Sequence, residues 1–168
     1  MQQVNNTKKV NVLGDANVDI ILNLSDKQNL GKPSLFSGGS SANVASGLSK
    51  LGIDVSFFGS LGNDMYGKHV VDEMKVDGID VSNLELLNNY STAMVIGVVE
   101  DSSERHFFLW PPEEGAHNKY TLDDMSTESL LKCDWLHVSG ISLRFSPVKE
   151  TMLKAMRLCK ENNKKVSF

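Results

Sequence analysis

The 168-residue sequence predicts an α/β fold built on a mostly parallel sheet, and three observations carry that prediction. Short apolar runs alternate with helix-length amphipathic stretches, the rhythm of strand–helix–strand units with right-handed crossovers. A Gly38-Gly39-Ser40-Ser41 loop opens directly into one of those helical stretches. One pair of β-rich runs, Thr92 to Val99 and Glu104 to Trp110, breaks the rhythm and reads as an antiparallel hairpin around a polar turn at Glu100 to Ser103.

In chain order, a polar start from Gln2 to Lys9 leads into Val10 to Leu13, a short apolar strand ending at Gly14. Beyond it Asp15 to Leu22 alternates, so Asn17 and Asp19 share one face of an extended segment while Val18 and Ile20 share the other. Two polar side chains then point the same way past the carboxyl end of a strand, the edge where open α/β sheets bind ligands. An amide beside a carboxylate there both donates to and accepts from hydroxyls; the alternative is two solvent-facing loop residues. Asp26 to Pro33 is polar and turn-rich, a connection.

Paired glycines at 38 and 39 let the backbone approach a ligand and offer it bare N–H groups. From Asn43 onward Val44, Leu48 and Leu51 recur at helical spacing and Gly52 stops the run, which places Asn43 at the joint between loop and helix. A serine-capped tight turn is the other reading. Val55 to Leu61 is the next strand, Asn63-Asp64 caps a helix from Met65 to Val76, and Ile79 to Leu87 is a further strand. The apolar residues of the hairpin, among them Val95, Val98, Phe107, Phe108 and Trp110, need cover from a ligand, a second subunit or their own domain. After Pro111-Pro112 come a helix at Leu122 to Leu131, a strand at Trp135 to Val138, a loop at Ser139-Gly140, a helix at Pro147 to Asn162, and the start of another strand from Lys164 to Phe168.

Composition narrows the partners. A formal net charge of -4, with no Lys/Arg run longer than Lys164-Lys165, argues against a nucleic-acid or anionic-membrane partner and for a small ligand. No apolar run reaches the roughly 18 residues needed to span a bilayer, and the start lacks a signal-peptide core, so the cytoplasm is the expected compartment. Cys133 and Cys159 fit no metal spacing and are too few for a disulfide framework. His69, His106, His117 and His137 form no i, i+4 pair, and no metal site is expected. A dinucleotide-binding reading fails because no G-x-G-x-x-G follows the first strand.

The blocks Gly14-Asp15-Ala16-Asn17-Val18-Asp19, Gly38-Gly39-Ser40-Ser41-Ala42-Asn43-Val44-Ala45, Gly62-Asn63-Asp64-Met65-Tyr66-Gly67 and Gly78-Ile79-Asp80-Val81-Ser82, in this order and around a hairpin, resemble the ribokinase-like (PfkB) carbohydrate kinases. The resemblance runs through essentially the whole chain. It implies a three-layer sandwich with a small β lid, with residues 1–168 as the N-terminal portion of one kinase domain and lid segments at about 18–37 and 91–112. It further implies that Asn17, Asp19, the backbone at Gly38 and Gly39, and Asn43 hold sugar hydroxyls. Ser41 departs from the family's Gly, Ala or Pro, and is small enough for the same turn.

The family's Gly-Ala-Gly-Asp block, which supplies a general base and an anion hole, is absent from these residues, as is most of the site for ATP and Mg2+. The C-terminal part of the fold is therefore expected to be missing, and without base and anion hole the chain is expected to be inactive alone. Alternatives are a nucleoside kinase of the same fold, or a truncated, non-catalytic sugar-binding or dimerisation module with a homodimer through the lid strands. Arg105, His106 and Phe107 fall near the substrate if the hairpin closes over it; an arginine there suits an acceptor bearing a carboxylate or phosphate, and otherwise is a solvated surface residue.

Overall fold

Two sheets divide the work of the chain. The computed structural model describes residues 8–24, 32–100, 104–111 and 113–168. The polar start up to residue 7, most of the Asp26–Pro33 connection and residues 101–103 of the hairpin turn lie outside the described residues. The first sheet has five strands in the order β5-β4-β1-β8-β9, formed by Asp80–Leu87, Asp54–Gly62, Lys9–Leu13, Trp135–Val138 and Lys165–Ser167. Every neighbouring pair in it is parallel. The second has four strands in the order β3-β2-β6-β7, formed by Ser34–Gly38, Asn17–Asn23, Met94–Val99 and Arg105–Trp110. Here β2 and β6 run parallel, while β3 and β7 flank them antiparallel.

The parallel sheet is covered on both faces, as strand alternation requires. Val12 and Phe57 pack with Ala45, Val70 and Met74 beneath helices α1 (Ser40–Lys50) and α2 (Met65–Val76). Their chain neighbours Leu13 and Phe58 pack on the opposite face with Leu130, Val148, Met152 and Cys159 of α3 (Thr127–Leu131) and α4 (Val148–Glu161). Adjacent residues on one strand thus belong to different cores, the period of two in physical form. Fully burying each large side chain in these layers stabilises the fold by about 1.5–3 kcal/mol.

The second sheet is tied to the first at both of its entries. β2 starts only a few residues after β1, across Gly14, Asp15 and Ala16. β6 is fixed by Asp64, whose carboxylate caps α2 by accepting from the Gly67 amide (2.8 Å) and also accepts from the Thr92 amide and hydroxyl (both 2.8 Å). Burial alone would raise the Asp64 carboxyl, but these donors outweigh it and hold the group below its ordinary value.

Several elements depart from the sequence reading. Residues 34–38 form a strand, although five residues with two serines and a glycine carry too short an alternation to announce one. Helix α1 starts at Ser40, so Asn43 lies in its first turn and not at the joint. The expected helix at Leu122–Leu131 shrinks to Thr127–Leu131, because Asp124 folds back to accept from the Thr121 amide and hydroxyl (both 2.7 Å) and Ser126 caps the helix in its place. The segment read as one extended run from Asp15 breaks at Ala16, and its strand joins the second sheet.

Candidate functional site

The site grows from the start of α1. Gly39 precedes the helix with φ 106 and brings no side-chain cap of its own. A distant residue caps it: the Asp15 carboxylate accepts from the Ser40 amide (2.6 Å), the Ser40 hydroxyl (2.7 Å), the Ser41 amide (3.2 Å) and the Ser41 hydroxyl (2.9 Å). The Asp15 carbonyl takes the Ala42 amide at 3.2 Å. A carboxylate at a helix N-terminus satisfies orphan donors and complements the dipole. The amides of Ser40, Ser41 and Ala42 are therefore engaged within the chain. The glycine at 39 is required twice over, since a Cβ there would have to coexist with its positive φ and sit 2.7 Å from the Asp15 carbonyl oxygen.

Beside this clamp the structure brings three of the sequence-derived positions together. Asn17 and Asp19 lie on one face of β2, and the Asn17 amide donates to the Asp19 carboxylate at 2.6 Å. Gly38 is paired opposite Asn17 in β3, and any Cβ on it would overlap the Asp19 carboxyl group. Glycine is what lets that carboxylate lie flat against the neighbouring strand. Burial pushes the Asp19 carboxyl above its ordinary value, with the Asn17 hydrogen bond pulling it partway back. Asn43 stands apart: it is exposed and borders a different hollow, of about 580 Å³, with Phe36, Ser37 and Glu73.

Asn17 and Asp15 also form one wall of a cavity of about 330 Å³. The second sheet contributes Val95 and Leu109, which pair with one another across β6 and β7 and share the face of Asp19. The remaining wall is built by His117 and Asn118, and by Ile141, Arg144 and Phe145 from the turn after β8. Burial lowers the His117 imidazole below its ordinary value, with the charges of Asp15 and Lys119 acting in opposite directions. Asp15, His117 and Arg144 are cavity residues that sequence reasoning did not single out. Asp15 lies two residues before Asn17, the strand partner of Gly38, which precedes the helix start by two residues; His117 and Arg144 carried no such signal. Arg105, by contrast, is exposed and paired with Val99, and His106 meets Glu100 at 3.3 Å.

Comparison with known proteins now decides the family. The profile of the pfkB family carbohydrate kinases matches residues 7–168. The chain belongs to that family. Among curated relatives, it is 34% identical over 152 residues to the 5-dehydro-2-deoxygluconokinase of Clostridium perfringens, covering 89% of this chain and 44% of that protein. It is 31% identical over 161 residues to a fructokinase of Salmonella typhimurium, covering 95% of this chain and 50% of that one. The fructokinase of Xylella fastidiosa superposes with a TM-score of 0.88 at 24% identity, over 96% of this chain and 52% of that one, which shows the ribokinase-like fold. The pfkB chain described here thus spans about half the length of the proteins it matches.

That fructokinase is also known with ATP bound. The 168 residues of this pfkB chain hold no Gly-Ala-Gly-Asp block. Among the described residues the one acidic cluster with ligand spacing is Glu100, Glu104 and His106, exposed at the ends of β6 and β7, where an imidazole replaces the all-oxygen set that Mg2+ favours. No helix among the described residues is long and apolar enough to cross a membrane.

Proposed function

We propose that this chain is the acceptor half of a cytoplasmic kinase that transfers the γ-phosphate of ATP to a hydroxyl of a small sugar. The observation that carries the reading is the Asn17–Asp19 pair, bonded at 2.6 Å and laid against Gly38 beside the cavity under the second sheet. A carboxylate fixed by a neighbouring amide keeps lone pairs for sugar hydroxyls, and the amide's remaining capacity serves a ring or carbonyl oxygen. The backbone of Gly38 and Gly39, beside Asp19 and Asp15, belongs to the same proposed site, whereas the role proposed for Asn43 is set against its place on the other hollow. The second sheet, residues 17–23, 34–38, 94–99 and 105–110, serves as the lid, within lid segments of about 18–37 and 91–112.

Phosphoryl transfer rests on positioning the acceptor and stabilising charge on the moving group. This chain supplies the first. The base and anion hole are not among its residues, so purified alone it should bind sugar and phosphorylate none. The test pairs calorimetric titration of fructose into the 168-residue chain with an ATP-turnover assay. Saturable binding that Asp19→Ala removes supports the reading; phosphate transfer by the chain alone would overturn its non-catalytic half.

The lid strands also supply the proposed partner surface. Phe107, Phe108 and Trp110 of β7 are 63%, 59% and 59% exposed on the strand that, among the described residues, ends the second sheet, which favours a homodimer through the lid. Phe108→Arg should convert a sedimenting dimer to monomer, and an unchanged sedimentation coefficient would remove this assignment.

A further inference from the structure

The strand that carries Gly38 is held by a helix as well as by its sheet. β3 ends the second sheet on one side among the described residues, with β2 as its neighbour. The Ser37 amide turns away from β2 and donates to the Glu73 carboxylate at 2.6 Å, 36 residues along the chain. Glu73 stands in the third turn of α2, which packs against both β2 and β3, while Val70 and Met74 of the same helix are buried in the core of the parallel sheet. The carboxylate therefore has a fixed base. Its other oxygen faces the His69 imidazole one turn earlier, 3.4 Å from Nε2, a nitrogen that is screened from solvent and has no hydrogen-bond partner among the described residues.

Ser37 is the residue before Gly38, and Gly38 lies so close to the Asp19 carboxyl that a Cβ on it would overlap that group. Where β3 lies thus sets how deeply Asp19 is covered. A five-residue edge strand with one paired neighbour is the part of a sheet that opens most readily. Water would satisfy the Ser37 amide in place of Glu73, but water would not fix the strand. A bond from a backbone N–H to a carboxylate is about twice as strong as a neutral one, and here it runs from the edge strand to a helix of the main layer. Asp64 does the same for the other end of the sheet through Thr92, so two carboxylates of the α2 region hold the two strands that flank β2.

We propose that Glu73 is a positioning residue of the acceptor site: through the Ser37 amide it holds β3, and with it Gly38, at the spacing that presents Asn17 and Asp19 to a sugar. The proposal rests on the acceptor-site reading above and extends it to a helix that supplied none of its residues. Glu73 acts through Ser37, so its loss is felt at Asp19.

The experiment takes the 168-residue chain and its Glu73→Ala, Glu73→Gln and Asp72→Asn variants through three measurements: calorimetric titration with D-fructose, titration of the Asp19 carboxyl by carbon NMR, and urea unfolding as the folding control. Glu73→Ala should weaken fructose by about 10-fold and bring the raised Asp19 midpoint back toward 3.8, with a urea midpoint within about 0.5 M of the parent. Glu73→Gln keeps an oxygen for the Ser37 amide and should bind fructose within about threefold of the parent. Asp72, exposed on the same 580 Å³ hollow, controls for charge: Asp72→Asn should leave affinity within about twofold. Fructose binding that Asp19→Ala abolishes and Glu73→Ala leaves within twofold would overturn the proposal and leave the acceptor site standing. An equal loss in Glu73→Gln and Glu73→Ala would also overturn it, because charge and not the hold on Ser37 would then matter. So would a loss of affinity matched by a fall in the urea midpoint with the Asp19 titration unchanged, which is the mark of a merely structural residue. No fructose binding by the parent would remove the acceptor site and this proposal together.

Discussion

Replacing Asp15 by alanine removes four hydrogen bonds at once, but the structure says they are not of equal weight. Ser40 is exposed, so its amide and hydroxyl exchange the carboxylate for water at little cost. Ser41 is fully buried, and its amide (3.2 Å) and hydroxyl (2.9 Å) are left without an acceptor. A buried donor left unsatisfied costs about 1–3 kcal/mol, so Asp15→Ala should destabilise the chain by about 2–5 kcal/mol. That is a large share of the roughly 5–15 kcal/mol of an ordinary domain, and more than the ~1 kcal/mol of a typical capping residue. At a urea dependence of about 2 kcal/mol per molar the midpoint should fall by about 1–2.5 M. Asp15→Asn should recover only part of the loss, since one oxygen remains to accept while the new NH2 faces N–H donors. The assay is urea unfolding followed by far-UV circular dichroism. A midpoint for Asp15→Ala within 0.2 M of the parent would refute the argument, because α1 would then be capped without this carboxylate.

Three further outcomes follow from the same geometry. Asp19 has a folded pKa above its ordinary 3.8, so its contribution to stability is full below that value and is lost as pH rises through the raised one; Asp19→Asn should therefore raise the urea midpoint at pH 7 and leave it unchanged at pH 3. The same change should weaken sugar binding by about 10-fold or more, and a variant both less stable at pH 7 and unaltered in binding would contradict the assignment. Gly38→Ala should mimic that loss of binding by displacing the Asp19 carboxyl, whereas Gly39→Ala should cost stability as well, through its positive φ and the contact with the Asp15 carbonyl; equal urea midpoints for the two variants would count against this distinction. Asp64 has the opposite linkage: its folded pKa lies below 3.8, so its stabilisation is present above that value and disappears as pH falls through the depressed one, and Asp64→Ala should lower the midpoint by about 1–2 kcal/mol equivalent at pH 7 with the difference closing in acid.

The legible parts of this fold were those governed by local rules. Val12 and Leu13, or Phe57 and Phe58, announce a strand buried on both faces, and Asp64 announces α2 because capping acts within one helical turn. The hairpin of β6 and β7 was legible for the same reason, its two runs being close in sequence. What could not be read was set by contacts across the chain. Nothing near Ser40 says that α1 begins there, since its cap is Asp15, and nothing near residue 34 says that Leu35 will find Ile20 across a sheet. At the site, Asn17 and Asp19 were visible because alternation puts them on one face of a strand, and Gly38 because of its glycine pair and the family resemblance. Arg144 was not, because its relation to Asn17 exists only after β8 has been inserted beside β1.

Asp15 sits on the short strap between the two sheets while its side chain grips the first turn of α1. Strap and helix are thus two arms of one lever with its fulcrum at this carboxylate. A tilt of the four-stranded sheet cannot be absorbed silently by a loop; it must tug on the Ser41 amide, so hydrogen exchange at that single N–H becomes a gauge of how far the sheet has swung.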